Sequence, residues 1–225
     1  MGPDVLMAVR HGESAANAAY RESLRTGQAL EFPRPDADVP LTDLGRTQAA
    51  ALGRWLDELP ATRRPELVWC STYHRARETW RIAASLMTEP PRDVHEDERL
   101  IDRVMGELEL MNHKAVDERF PEEARKRALL GEWAYRPPGG ESFADVAARL
   151  RAFLADLNRA AERRRVLVVA HDSVVAVLRH VLERDDDTDM TGLATFGPVA
   201  NASVSTWERR DGRLHLGGFN AVGHL

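Results

Sequence analysis

Val5-Leu6-Met7-Ala8-Val9-Arg10-His11-Gly12-Glu13-Ser14 sets the frame of the fold. Five consecutive apolar residues flanked by polar ones are too short a run for a buried helix and fit a strand covered on both faces. The polar residues that follow then stand at the carboxyl end of that strand, where open α/β sheets gather their sites. Glu66 to Cys70 and Arg165 to Ala170 repeat the pattern, each ending just before polar residues. Between these runs the period changes to that of helices. Thr42 is placed to cap a helix whose apolar face comprises Leu44, the Gln48 methylenes, Leu52, Trp55, Leu56 and Leu59, with Pro60 closing it. After the breaker Pro137-Pro138-Gly139-Gly140, a helix from Ser142 carries Phe143, Val146, Leu150, Phe153, Leu154 and Leu157 on one face. Val204-Ser205-Thr206-Trp207 and Leu214-His215-Leu216 flank Asp211-Gly212, a hairpin signal that adds antiparallel strands at an edge. The expected fold is α/β: three layers, α/β/α, around a mostly parallel central sheet with an antiparallel edge.

At 225 residues the chain fits one domain spanning 1–225, and no repeat, low-complexity tract or linker divides it. Two stretches, 22–39 and 93–138, are charged, proline-punctuated and irregular, and are expected to act as lids. The 31 basic residues are scattered among 36 acidic ones, for a formal charge of -5, which argues against a nucleic-acid partner. One cysteine allows neither an internal disulfide nor a multi-cysteine zinc site, and a reducing compartment fits. No run approaches the ~18 apolar residues of a membrane span, and no basic segment followed by an apolar one opens the chain, so a cytoplasmic protein is expected. The oligomeric state is left open.

Three strand ends carry the chemistry. The first supplies Arg10-His11-Gly12-Glu13-Ser14, with Asn17 in the opening turns of a helix. The second supplies Ser71-Thr72-Tyr73-His74-Arg75-Ala76-Arg77-Glu78-Thr79, and the third Ala170-His171-Asp172-Ser173. Free amides at a helix start favour an anion, and arginine grips phosphate through two parallel hydrogen bonds. A histidine with one ring nitrogen fixed as a donor keeps a lone pair on the other and can attack phosphorus. Each segment alone is weak, because Arg-His pairs and loop histidines are commonly structural. Arg-His, Arg and His at three strand ends together are far harder to explain as coincidence.

These residues resemble the histidine phosphatase superfamily, which includes cofactor-dependent phosphoglycerate mutases and related phosphatases. Matching blocks run from Arg10-His11-Gly12-Glu13-Ser14 with Asn17, through Asp38-Val39-Pro40-Leu41-Thr42-Asp43-Leu44-Gly45 with Gln48-Ala49, Ser71 with Arg75-Ala76 and Thr79, and Pro138-Gly139-Gly140-Glu141-Ser142, to Val168-Val169-Ala170-His171 and Asn201-Ala202-Ser203-Val204. The resemblance implies a phosphoglycerate mutase-like fold and a phosphohistidine formed on His11. It implies that Arg10 and Arg75 clamp the phosphoryl oxygens, that Asn17 contacts phosphate, and that His171 completes the pocket, with neither metal nor other cofactor. The family's proton donor precedes a glycine by four residues, which here puts Asp102 before Gly106 where glutamate is commoner. Glu98, Glu107 and Glu109 remain alternatives, because aspartate is shorter by one methylene and proton transfer needs hydrogen-bond reach. Asp172 stands where the family has glycine, and its carboxylate is expected to turn away from phosphate.

Other chemistries find less support. Cys70 ends a strand beside arginines, but a cysteine phosphatase loop needs arginine six positions on, where the chain has Ala76. Neither a phosphate-binding Gly-x-x-x-x-Gly-Lys-Ser/Thr nor His-Glu-x-x-His occurs. Within the resemblance, hydrolysis of a small phosphorylated metabolite is expected over mutase transfer. The segment after Asp102 lacks the mutases' aromatic and basic pattern, and little chain follows the hairpin to close over the site. A non-catalytic binding protein is the third reading, disfavoured by the intact His11. Arg21, Arg25, Arg34, Arg103, Arg119, Arg125, Arg127 and Arg136 are candidate substrate contacts, although solvated ion pairs are the commoner fate of such residues.

Overall fold

The computed structural model describes residues 2–183 and 198–225. Strands β1 (Val5–Arg10), β2 (Leu67–Cys70), β3 (Asp93–Glu96), β4 (Arg165–Ala170), β5 (Val204–Arg210) and β6 (Arg213–Ala221) form one sheet in the order β3-β2-β4-β1-β5-β6. β3, β2, β4 and β1 run parallel to one another, and β5, antiparallel to β1, and β6, antiparallel to β5, close the sheet. Asp211 and Gly212 both take positive φ in the β5–β6 turn, as a tight two-residue hairpin requires. Seven helices are described: α1 (Ala15–Thr26), α2 (Asp43–Glu58), α3 (His74–Ser85), α4 (His113–Arg119), α5 (Pro121–Ala134), α6 (Phe143–Ala160) and α7 (Asp172–Glu183).

Alternation along the strands divides the core into two layers. Leu6, Ala8, Leu67, Val166, Val168, Ala170 and Trp207 face α6 and α7, packing with Val146, Leu150, Phe153, Leu157, Val174 and Leu178. Met7, Val9, Val68, Cys70, Leu167, Val169 and Val204 face the other way, onto Leu52 and Leu56 of α2 and Ala76, Trp80 and Ala83 of α3. Both faces of the sheet are therefore buried, which is why the central strands read as unbroken apolar runs. Thr42 caps α2 as expected, and Ser142 caps α6, each accepting at its hydroxyl oxygen from the backbone N–H three residues on.

Three expectations need correction. Leu44 is 50 % exposed and lies off the apolar face of α2. The stretch 22–39 begins inside α1 and contains a 3-10 turn over Asp36–Asp38. The stretch 93–138 is more ordered than its composition indicates, since it opens with β3 and holds α4 and α5. All four β3 residues are exposed at the sheet edge, so the strand carries no alternation that a sequence reading could detect. No helix among the described residues is long and apolar enough to cross a membrane.

Candidate active site

Because β2, β4 and β1 are parallel neighbours, their carboxyl ends open at one place, and each is followed by a helix start. Ser14 caps α1, His74 begins α3 and Asp172 begins α7. Three sets of helix amides thus lie at the end of the sheet where Arg10, His11, Arg75 and His171 are found, a setting favourable to an anion.

His11 is 1 % exposed. Its backbone N–H donates to Ala170 O at 2.9 Å, and its carbonyl accepts from Ala202 N and Asn201 Nδ2, both at 3.1 Å. Its ring Nδ1 lies 2.7 Å from the Gly12 carbonyl, which accepts a hydrogen bond and so fixes the proton there. Nε2 keeps its lone pair and accepts from Arg75 Nε at 3.0 Å. Burial first, then the charges of Arg75, His171 and Arg10, holds the imidazole well below its ordinary pKa, so His11 is neutral at physiological pH. Gly12 donates to Thr79 Oγ1 at 3.0 Å, and that hydroxyl donates to Arg75 O at 2.7 Å, tying the two loops together. A Cβ on Gly12 would stand 2.4 Å from Gly45 O, so the loop can meet the start of α2 only as glycine.

His171 is fully buried, its ring 5.2 Å from that of His11. Ser71 Oγ accepts from Tyr73 N at 3.3 Å and lies 2.8 Å from His171 Nε2. With that hydroxyl donating to Nε2, the proton of His171 sits on Nδ1. This atom has no hydrogen-bond partner among the described residues and lies 3.6 Å from Asp102 Oδ2. Burial, with Arg75, Arg10 and Arg149, holds this imidazole also well below its usual pKa.

Asp102 reaches the pocket despite its short side chain. Its Oδ2 accepts from Arg75 NH2 at 3.2 Å, and its Oδ1 accepts from Arg103 N at 2.9 Å and Ser173 Oγ at 2.5 Å. Arg149 braces the segment through Asp102 O at 3.1 Å and Arg99 O at 2.6 Å, and is itself held by Glu141. Of the alternative acids, Glu98 and Glu107 are exposed. Glu109 faces Asp36 closely enough to oppose its ionisation.

Arg10 donates to Val199 O at 2.5 Å. Asp172 Oδ2 lies 3.7 Å from Arg10 NH2, an ion pair at the rim of the pocket with the carboxylate half-exposed. Asn17 spends its Oδ1 on Ser14 N and Asn201 Nδ2, leaving its NH2 as the donor for a ligand. Many of the arginines considered as substrate contacts are paired locally instead: Arg21 with Glu13, Arg25 with Glu22, Arg119 with Glu31, Arg125 with Glu122, Arg127 with Glu132 and Arg136 with Asp145. Cys70 is buried against α3, and burial pushes its thiol up to about 12, which disfavours the thiolate a nucleophile needs. Among the described residues no group of three or more His, Cys, Asp or Glu side chains is arranged to hold a metal ion.

Two residues at the site escaped the sequence reading. Asp36 is 9 % exposed and fills the fork of Arg75, although no motif or periodicity marks it. Ser173 holds Asp102, and only its position two residues after His171 hinted at a role. Without the Ser173 hydroxyl, Oδ1 loses one of its two donors, and the carboxyl is held less firmly, by Arg103 N and Arg75 NH2 alone. Ser173→Ala is therefore expected to lower kcat about tenfold with little change in KM, and Ser173→Thr to restore it. A loss carried entirely by KM, or failure of threonine to rescue, would count against this positioning role.

A neutral imidazole whose unprotonated Nε2 is held by an arginine, at the carboxyl end of parallel strands, is an arrangement suited to phosphoryl transfer on histidine. The family model of the histidine phosphatase superfamily (branch 1) matches residues 6–222, and the chain belongs to that superfamily. It is 34 % identical over 179 residues to 2,3-bisphosphoglycerate-dependent phosphoglycerate mutase 2 of Gloeobacter violaceus, covering 77 % of this chain and 73 % of the relative. It is 30 % identical over 220 residues to the metal-independent phosphoserine phosphatase of Arabidopsis thaliana, covering 98 % and 82 %. A solved mycobacterial glucosyl-3-phosphoglycerate phosphatase in complex with VO3 superposes with a TM-score of 0.75 at 28 % identity, over 97 % of this chain and 100 % of that one.

Proposed function

We propose that this chain is a phosphomonoester hydrolase that acts on a small phosphorylated metabolite through a phosphohistidine on His11. The observation that carries the proposal is the His11 tautomer: Nδ1 is committed to the Gly12 carbonyl, and the lone pair of Nε2 faces the guanidinium of Arg75. In the first step Nε2 attacks phosphorus while the ester P–O bond breaks, and the departing oxygen takes a proton from the Asp102 carboxyl. Arg10, Arg75, the Asn17 amide and His171 Nδ1–H hold the three equatorial oxygens, where charge develops in the transition state. In the second step the Asp102 carboxylate takes a proton from water, the water oxygen attacks phosphorus, and the P–N bond breaks to release inorganic phosphate and restore neutral His11.

Hydrolysis is favoured over mutase transfer by the charges around Arg75. Asp36, Asp102 and Glu109 surround that arginine with negative charge, a poor environment for holding the second acidic group of a phosphoglycerate. The test is phosphate release from a panel of phosphomonoesters, sugar phosphates, phosphoserine and nucleotides among them, in EDTA. Turnover with acid-labile labelling of the protein by a substrate's phosphoryl group is expected. A protein that interconverts phosphoglycerates only when primed by a bisphosphorylated acid, and releases no phosphate, would be a mutase instead.

A further inference from the structure

Arg75 has no donor to spare. Its Nε donates to His11 Nε2, NH1 donates to Asp36 O at 2.6 Å and to Asp36 Oδ1 at 2.9 Å, and NH2 donates to Asp36 Oδ2 and Asp102 Oδ2, both at 3.2 Å. These five bonds use all five N–H groups of a guanidinium. The two parallel bonds to the Asp36 carboxylate have the fork geometry in which arginine holds a phosphoryl group. Arg75 is 3 % and Asp36 9 % exposed, so the pair is shielded from water and strongly felt.

We propose that Asp36 is an internal substitute for the phosphoryl group: in the free protein it occupies the fork of Arg75, it must leave when substrate binds, and its return expels inorganic phosphate. The inference rests on the reading of Arg75 as a phosphoryl-binding residue. The exchange asks for little movement. Asp36 opens a single 3-10 turn, and its backbone carbonyl has its own bond to NH1, so a side-chain rotation frees two donors while the main chain keeps its hold. Asp36 therefore sets the affinity of the site for free anion. A hydrolase benefits because its second product is that anion, and a site that grips phosphate with two arginines would otherwise be slow to empty.

The groups facing Asp36 are Arg75 of α3, Tyr73 just before α3, Asp102 on the segment after β3, and Glu109 beyond it. Burial above all, together with Asp102 and Glu109 and against the pull of Arg75, raises the Asp36 carboxyl to about 6. Below that pH Asp36 takes up a proton and competes less well for the guanidinium, so anion binding strengthens as pH falls.

Sulfate is the probe, because it stays a dianion over the relevant range. Its dissociation constant is measured by calorimetry for wild type and Asp36→Asn between pH 5.5 and 8, and inhibition of turnover by inorganic phosphate is measured alongside. At pH 8 the variant is expected to bind sulfate about tenfold more tightly or better, and to be inhibited by phosphate at correspondingly lower concentration. Wild-type affinity is expected to rise toward low pH, and the variant's dependence to be flatter. If Asp36→Asn does not fold, the wild-type pH dependence alone decides, and affinity that is constant or falls toward pH 5.5 overturns the proposal. Equal or weaker sulfate binding by a folded variant, with turnover intact, overturns it while leaving the hydrolase reading standing. Tighter binding in a protein that turns over no phosphomonoester supports the exchange and counts against the hydrolase reading alone.

Discussion

The His11→Ala protein is expected to release no measurable phosphate from any ester that wild type hydrolyses, a loss of at least about 10⁴-fold, because no second side chain can take the phosphoryl group in its place. His171 stands nearest, but its Nε2 is occupied by Ser71 and its Nδ1 carries the proton. Both proteins should be assayed side by side in EDTA, and activity surviving at the wild-type level would sink the assignment of the nucleophile. The variant should still fold, since the ring's one donated hydrogen bond goes to the adjacent Gly12 carbonyl. Its stability should respond to pH in a defined direction. In wild type the buried ring stays neutral far below pH 6.5, whereas in the unfolded chain it protonates near 6.5. The unfolded state then binds more protons, so wild type loses stability as pH falls through that value. His171 contributes in the same sense, and Asp36, with its carboxyl raised to about 6, in the opposite sense below that pH. His224, also lowered by burial, adds to the loss at low pH, and removing His11 deletes one of these destabilising histidines. Urea midpoints at pH 7.5 and 5.5 are therefore expected to lie closer together for His11→Ala than for wild type.

The parts of this molecule that were legible in the sequence are those where one local rule acts without competition. β1, β2 and β4 are buried on both faces and announce themselves as apolar runs. Because parallel pairing aligns their carboxyl ends, the residues just after each run had to share a neighbourhood, and Arg10, His11, Arg75 and His171 do. Asp102 was less secure, because its reach depends on how the segment after β3 is folded back by Glu141, Arg149 and Ser173, three contacts separated from it by 39 to 71 positions or set by a brace through the backbone. β3 was illegible for the opposite reason to β1: the edge strand Asp93, Val94, His95 and Glu96 pairs its backbone with β2 and stacks His95 on Trp69, but all four residues remain exposed and none enters the core. Asp36 could not have been found at all. A carboxylate in a proline-rich stretch reads as a solvated loop residue, and only the fold reveals that the nearest cation is a buried guanidinium.

Replacing that guanidinium has the second large expected effect. Arg75→Gln removes the donors that hold phosphoryl oxygens, and turnover is expected to fall by about 10²–10³-fold, the scale for loss of one preorganised donor group in a site of this kind. It also leaves Asp36 and Asp102 facing each other without their cation, and breaking a buried ion pair by removing one partner costs about 3–5 kcal/mol. How much of that cost is felt depends on pH. Burial already raises the Asp36 carboxyl to about 6 with Arg75 opposing the rise, so without the arginine it must go higher still. A carboxyl whose folded pKa is raised lends stability while protonated and loses it as pH climbs through that pKa. The deficit of Arg75→Gln relative to wild type is therefore expected to be small at pH 5.5, where Asp36 can take up a proton, and to approach its full size at pH 8. Urea denaturation of both proteins at the two pH values measures it. A deficit of the same size at both would mean that Arg75 supports the fold through packing, with its contact at 5.0 Å to the Tyr73 ring, and that the charge of Asp36 is not what the arginine balances.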